Sequence, residues 1–447
     1  MCKAKLSRRE FLRSSLAVLA GTAVAACAPP IVTPVSVPAV EEVPPTRAKA
    51  ERYTLWFNTL FHSGDAQAME RIVQAYNEEH TDTQLTLTQG QWAEYYAQLT
   101  NAVIAGNPPQ IGIVHTNKLT EMYPALTPLE NTPAGNLLEA AGIKAEDYIE
   151  TLWQAGERDG HRYLVPLDTH MWGMWYNRQI FQEAGLDPDD PPQTMDTVTA
   201  AADAIRDKGY YAWHPAEDAL PRKLERAWYI FFWQQGGELF DPDYTQVTFN
   251  DEKGLTALRF LVSIVQEHKW NEPGTDGFKQ FTAGQLGILF AGNWMYWTAV
   301  KSEVDWGFAY IPQFYDKRVT WANSHNMVIP KQPSGVSAEV LIKSAEAIKW
   351  INEHSDLWGI YGGHIPAYKP VLNSKALQES DTWKRSLSKF VDMANKGWIH
   401  YPIDHPKGSL LENAIQVQVQ EAYNGTKSPE EALQAAADEA TQILQSA

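Results

Sequence analysis

The sequence predicts an α/β protein built as two lobes, and three observations carry that expectation. The chain has 447 residues, too many for a single hydrophobic core. Strand-like and helix-like apolar patterns alternate from residue 53 onward, the rhythm of mostly parallel sheets with helices on both faces. No repeat, low-complexity tract or flexible linker interrupts residues 52–447, so two lobes joined by several crossing strands fit better than two tethered domains.

The elements follow in order. Tyr53-Thr-Leu-Trp-Phe-Asn58 reads as a buried strand. Met69, Ile72, Val73 and Tyr76 recur at helical spacing between Asp65 and Glu79. Leu85 and Leu87 alternate with threonines as a second strand. Trp92, Tyr96, Leu99 and Val103 form another helical stripe, stopped at Gly106-Asn107-Pro108-Pro109 before the strand Ile111–Val114. Further strands are expected at 163–166, 174–177, 287–290, 307–311 and 327–329. Thr194 caps a helix running to about Asp207. The apolar helix Ala227–Trp233 stops at Gly236-Gly237, and a further helix starts at Asp251. After the strand at 287–290, Gly292-Asn293-Trp294 opens a helix. Ser428-Pro429-Glu430-Glu431 is a capping box with proline in the first helical position.

Composition narrows the function. Lys plus Arg total 37 against 54 Asp plus Glu, a net charge of −17, which argues against a nucleic-acid binder with a broad basic face. The only cysteines are Cys2 and Cys27, which excludes a disulfide framework and a cysteine-based zinc site. Residues 1–26 carry Lys3, Lys5, Arg8, Arg9 and Arg13 against Glu10, followed by the short apolar run Leu16–Ala26. That run is too short to span a bilayer, for which about 20 residues are needed. It has the layout of a signal peptide. Ser7-Arg8-Arg9-Glu10-Phe11-Leu12 matches the twin-arginine export signal. Val24-Ala25-Ala26-Cys27 resembles the lipobox of bacterial lipoproteins, in which the cysteine is diacylated and becomes the first mature residue. Removing a leader of +4 from a chain of −17 leaves −21. Residues 27–50, with six prolines, read as a lipidated, semi-stiff tether.

Seven segments of the body together resemble the family 1 extracellular solute-binding proteins of ABC importers, over roughly residues 52–447. Gln74 to His80 resembles the end of the family's first helix, with Thr81 in place of proline. Ala105-Gly106-Asn107-Pro108-Pro109-Gln110 resembles A-G-x-x-P-D, with Gln110 for Asp. Pro166 through Trp175-Tyr176-Asn177 resembles P-x(7–9)-L-x-Y-N. Ala184-Gly185-Leu186 with Pro191-Pro192-Gln193-Thr194-Met195-Asp196 resembles A-G-[LI] and P-P-x-T-W-D-E. Gln235 to Phe240 resembles x-G-G-x-L-F. Phe281 to Gln285 with Gly292-Asn293-Trp294 resembles F-x-x-G-x and G-x-W. Ser428 to Leu433 matches S-P-E-E-A-L.

The resemblance implies a type II-like periplasmic-binding-protein fold, with a solute held between two α/β lobes. It implies no enzyme activity, no cofactor, no metal and no nucleic acid. It implies a monomer anchored by its lipid, which passes its solute to permease subunits. Crossings are expected near Thr169–Trp172, Trp306–Tyr310 and Trp350–Asp356. Lobe one is then 51–169 plus 309–350, and lobe two 170–308 plus 351–447.

A small saccharide is the expected solute. One face of a pyranose is a patch of C–H groups and its rim is hydroxyls, so aromatic rings and polar side chains must converge on it. The chain has 17 Trp. Trp228, Trp233 and Trp350 lie on apolar helical faces and are expected in the core. The expected ligand contacts are Trp56 and Asn58 at the end of the first strand, and Ser63 and Asp65 opening the next helix. Asp65 is either a helix cap or a hydroxyl acceptor. His115 and Asn117 follow the third strand, and Asn293 and Trp294 open a helix. The family's hinge position implies His170, with Trp172 as its neighbour; these two are expected to divide between cleft and core. Trp92, Trp213, Asn323, His325, Gly363, His364 and Trp398 complete the set. Where maltodextrin binders carry an aromatic pair, this chain reads Leu410-Leu411-Glu412-Asn413, which disfavours a long maltodextrin. The alternatives are a receptor for a polyamine, metal or polyol, and a secreted glycoside hydrolase; no acid lies in a recognisable hydrolase motif.

Overall fold

The computed structural model describes residues 52–446. The leader with Arg8 and Arg9, the cysteine Cys27 and the proline-rich stretch to residue 50 lie outside the described residues.

The body opens with β1 (Tyr53–Thr59), α1 (Ser63–Glu79), β2 (Thr83–Gln89), α2 (Tyr95–Ile104) and β3 (Gly112–His115). β1 and β2 pair in parallel from Tyr53↔Thr83 to Thr59↔Gln89, and a parallel bridge, Phe57↔Ile111, places the third strand beside them. α1 buries Met69, Ile72, Val73 and Tyr76, as their spacing requires. After β4 (Val165–Pro166) comes β5 (Asp168–Asn177), ten residues buried on both faces. α3 (Arg178–Glu183) starts at Asn177, whose side chain accepts from the amides of Gln179 and Ile180. Thr194 and Thr197 form a capping box on α4 (Met195–Arg206).

The second half continues with β6 (Tyr211–His214), α5 (Pro221–Gln234), α6 (Glu252–Gln266) and β7 (Leu286–Gly292). A single turn, Asn293–Met295, leads into α7 (Tyr296–Lys301), then β8 (Trp306–Ala309), β9 (Thr320–Asn323) and β10 (His325–Val328). The chain closes with α8 (Ala338–Glu353), α9 (Asp356–Gly362), β11 (Ile365–Pro366), β12 (Ile399–His400), α10 (Gly408–Tyr423) and α11 (Pro429–Gln445). The capping box of α11 is formed by Ser428 and Glu431. Among the described residues, no helix is long and apolar enough to cross a membrane.

Two hydrophobic cores define two lobes. The smaller joins Leu55–Leu167 to Met327–Trp358 and Ala367, and includes Trp350; the larger joins Met171–Ala322 to Ile365 and Leu377–Ala440, and includes Trp228 and Trp233. The sheets are mixed rather than mostly parallel. In the larger lobe the order is β12-β9-β5-β7-β6, with β8 and β11 also on β5. β6–β7 and β9–β12 are parallel, whereas β5 runs antiparallel to β7, β8, β9 and β11. The smaller lobe holds β3-β10-β4, all antiparallel. Strands that enter a lobe and return from it must oppose one another, and the repeated crossings impose this.

The crossings differ from expectation. The first falls at Leu167–Asp168. The second falls at Asn323–His325 rather than at Trp306–Tyr310, because β8 pairs with the far end of β5 (Trp306↔Asn177) and Ile311, Phe314 and Val319 fill the larger core. The third is drawn out over 358–377: Trp358 and Ala367 lie in the smaller core with Ile365 between them in the larger, and Leu377 is again in the larger. Residues 309–322 therefore pack with lobe two, and the stretch from 351 to Trp358 packs with lobe one.

Candidate functional site

The cleft between the lobes holds two adjoining hollows of about 400 and 440 Å³, within the range of small-molecule sites. They share Trp92, His115, Arg222, Arg226 and Trp321 and so form one groove. Lobe one contributes the start of α1 and the segment after β3. Lobe two contributes the first turns of α5, the turn after β7, and β9. His170 and His325 form the floor.

Tryptophans and cations alternate along the groove. Trp294 is seated by Gly292, where a Cβ would lie 2.2 Å from the indole; any side chain there would displace the ring. Lys223 stands 5.0 Å from the Trp294 ring centre and pairs with Glu217. Glu217 also accepts the Gly292 amide at 3.0 Å, so one carboxylate fixes both lysine and turn. Arg222 lies 4.6 Å over Trp92, across the cleft, and Arg226 lies 3.8 Å over Trp321. Among the described residues, neither guanidinium has a carboxylate within salt-bridge distance.

Burial sets the charge states. It lowers the Lys223 ammonium to about 8, against the pull of Glu217 and with the push of Arg226 and Arg222. Burial and the nearby Glu412 raise the Glu225 carboxyl well above its ordinary range, and its Oε1 accepts from the Tyr229 hydroxyl at 2.6 Å. Burial also lowers His115 well below the usual histidine range and His170 to about 3, leaving both rings neutral.

Below the groove floor, Asp168 joins the crossings. Its Oδ1 meets His170 Nδ1 at 3.0 Å and the His325 amide at 3.0 Å; its Oδ2 meets His325 Nδ1 and the Trp358 indole N–H, both at 2.7 Å. Burial alone would raise this carboxyl, but His325, His364 and His170 outweigh it and hold Asp168 well below the usual range. At the rim, Glu412 accepts from Lys118 at 2.8 Å and from Asn117 at 2.9 Å, and Trp297 donates to Gln67 at 2.8 Å. These bonds join lobe to lobe across the cleft.

Of the expected contacts, Ser63, Asp65, Trp92, His115, Asn117, His170, Trp294, Asn323 and His325 line the groove. The others do not. Trp172 and Trp213 are fully buried in the larger core. Trp56 donates to Thr88 Oγ1 at 2.6 Å along the first sheet, and Asn58 accepts from the same hydroxyl at 3.0 Å. Asn293 is spent on structure: it donates to the Gly363 carbonyl at 2.7 Å and accepts from the Met171 amide at 3.2 Å. Gly363 is buried at φ 76°, where a Cβ would meet the Asn293 carbonyl at 2.4 Å. His364 is fully buried against Asp65, at 3.0 Å. Trp398 lies under Arg318 and Lys396, at 4.8 and 4.6 Å, away from the groove.

Sequence reading missed Arg222, Lys223, Glu225, Arg226 and Trp321. The signal was present in α5, whose first turns are charged while the rest is apolar. Arg222 and Arg226 stand four residues apart and so share a face.

A two-lobed α/β body closed over a groove of rings and polar groups is the build of a solute-binding protein. A sequence profile described as bacterial extracellular solute-binding protein matches residues 62–333, and the chain belongs to that family. It is an exported solute receptor of an ABC importer. The lactose-binding protein of Rhizobium radiobacter is 24% identical over 346 residues, spanning 74% of this chain and 75% of that protein. The sn-glycerol-3-phosphate-binding periplasmic protein UgpB of Escherichia coli is 20% identical over 399 residues, spanning 84% and 89%. Maltose-bound MalE3 of T. maritima superposes with a TM-score of 0.77 at 15% identity, over 88% of this chain and 100% of that one. The cyclic α-maltosyl-1,6-maltose-binding protein of Arthrobacter globiformis gives 0.70 at 21% identity, over 88% and 99%.

Proposed function

We propose that the receptor captures a mono- to short oligosaccharide between its lobes and delivers it to its permease. It acts as a monomer, exported through the twin-arginine signal at Arg8 and Arg9 and held at the membrane by lipid on Cys27. The observation that carries the saccharide reading is the set of three rings, Trp92, Trp294 and Trp321, in one groove edged by Asp65, Asn117, Glu217 and Asn323. Rings cover the C–H face of a sugar and the edge takes its hydroxyls. Glu412 occupies the place where maltodextrin binders carry aromatic residues and is engaged by Lys118, which favours a short ligand. A thermal-shift screen over mono- and oligosaccharides, polyols and polyamines tests the reading. A saccharide hit with compaction in small-angle scattering supports it; a hit confined to polyamines, or turnover of the sugar, sinks it.

One observation favours a second reading within this class. Arg222 and Arg226 face the groove without a carboxylate partner, as a saccharide bearing a carboxylate or phosphate would require. In the screen, acidic sugars would then outrank their neutral counterparts.

Two further results are expected. Trp294→Ala weakens calorimetric affinity for the bound sugar by about 1 kcal/mol or more, the order for a lost aromatic anchor. Unchanged affinity would remove Trp294 from the site. Lys223 donates hydrogen bonds fully only as the ammonium, which prevails below about pH 8. Affinity should therefore fall as pH rises through about 8. A flat profile between pH 7 and 9 would show that the ammonium makes no contact.

A further inference from the structure

Four side chains at and below the floor of the groove form a cluster of possible metal ligands. Asp168, His170, His325 and His364 each offer one ligand atom, and these atoms lie within 4.8 Å of one another. All four residues are buried, none more than 5% exposed. The Nδ1 atoms of His170, His325 and His364 stand 3.0, 2.7 and 3.3 Å from the Asp168 carboxylate.

His364 makes the arrangement informative. Its Nε2 lies 3.0 Å from Asp65 Oδ1, and an ionised carboxylate can only accept, so Nε2 carries a hydrogen. Its Nδ1 is fully buried and makes no hydrogen bond: it sits 3.3 Å from Asp168 Oδ2, but misaligned for one. Burial lowers the pKa of this histidine, but Asp65 and Asp168 outweigh it and raise it, so a proton competes for Nδ1; without that proton, Nδ1 presents a lone pair to a carboxylate. Two lone-pair donors facing each other in a dry interior repel unless a cation lies between them. A carboxylate that orients a histidine through the opposite nitrogen is also the usual outer partner of a metal-bound imidazole. Trp358, donating to Asp168 Oδ2 at 2.7 Å, plays the same part for the carboxylate ligand.

We propose that Asp168, His170, His325 and His364 bind one divalent transition-metal cation of the zinc type at the junction of the three interlobe crossings. Three imidazole nitrogens and one carboxylate oxygen suit zinc and its neighbours better than magnesium or calcium, which prefer all-oxygen sites. Four protein ligands make a closed, structural coordination sphere. The ligands come from every crossing: Asp168 and His170 from the first, His325 from the second and His364 from the third. The ion therefore pins the hinge that both lobes share. This goes beyond the saccharide reading and stands or falls separately from it.

The test uses the untagged mature chain, stripped with EDTA and titrated with zinc chloride by calorimetry, with metal analysis after gel filtration. The expected result is one zinc per chain and a raised melting temperature. Cobalt(II) should give the intense visible absorption of a tetrahedral site. His364→Gln and His170→Gln, checked for folding by circular dichroism, should each lose about tenfold or more in zinc affinity. His161→Gln, which removes an exposed histidine, should retain the single equivalent. If a variant does not fold, zinc stoichiometry and the cobalt spectrum of the wild-type chain decide. No zinc bound by the stripped chain, an octahedral cobalt spectrum, or full affinity in folded His364→Gln would overturn the proposal. In the first case a protonated His364 between Asp65 and Asp168 supplies the cation. A saccharide screen without hits leaves this result untouched.

Discussion

Trp213→Ala should lower the stability of the chain by about 3–5 kcal/mol, the cost of deleting a buried tryptophan. The ring is fully buried on β6. It stacks on Phe314 at 5.7 Å and 2°, and meets Phe290, Phe231, Phe260 and Trp270 at 5.0 to 6.1 Å. These rings come from separate elements, so no one neighbour can collapse into the space. The urea midpoint should fall sharply. The groove contains no atom of Trp213, so variant protein that remains folded should keep its solute affinity. Trp294→Ala should do the reverse. A Trp213 variant that lost affinity at native-like stability would place that ring in the site after all.

Asp168→Asn is expected to cost about 3–5 kcal/mol in EDTA, the range for breaking a buried charged network by removing one member. The carboxylate accepts from His170, His325, the His325 amide and Trp358 with both oxygens. An asparagine amide must turn its NH₂ toward one pair of those donors and leave them unsatisfied. Because those partners span the crossings, the variant should also open more readily. Small-angle scattering of the solute-free chain should show a larger radius of gyration than wild type. A variant with unchanged midpoint and radius would mean that Asp168 neither stabilises the hinge nor restrains it.

Much of the local structure was readable from residue order. Capping residues Thr194, Asp251 and Ser428 mark helix starts because a side-chain oxygen serves amides two or three residues away. The stripe Met69, Ile72, Val73, Tyr76 marks a buried face because helical period is local. The lining of the groove was readable where it follows a strand end or opens a helix, as at Ser63, Asp65, His115 and Trp294. It was not readable for Trp321 or Arg226, since which face of a strand or helix meets the other lobe depends on how the lobes dock. The second crossing was misplaced for a similar reason. The pattern at 306–311 shows a strand but not its partner, and pairing with Asn177 is a long-range choice.

Residue order alone was enough for the class of protein and its elements: an exported, two-lobed α/β receptor, with helices and strands set by local capping and periodicity. Which tryptophans line the groove and which fill the core depends on the packing of the whole chain. Trp213, within β6, and Trp294, just past β7, were both expected to meet the solute, and of the two only Trp294 lines the groove. Burial is a property of the whole packing: Trp213 is enclosed by five rings distant in sequence, while Trp294 lies over Gly292 in the gap between lobes. The same holds for Asp168, His325 and His364, which lie far apart along the chain and meet only because the three crossings converge.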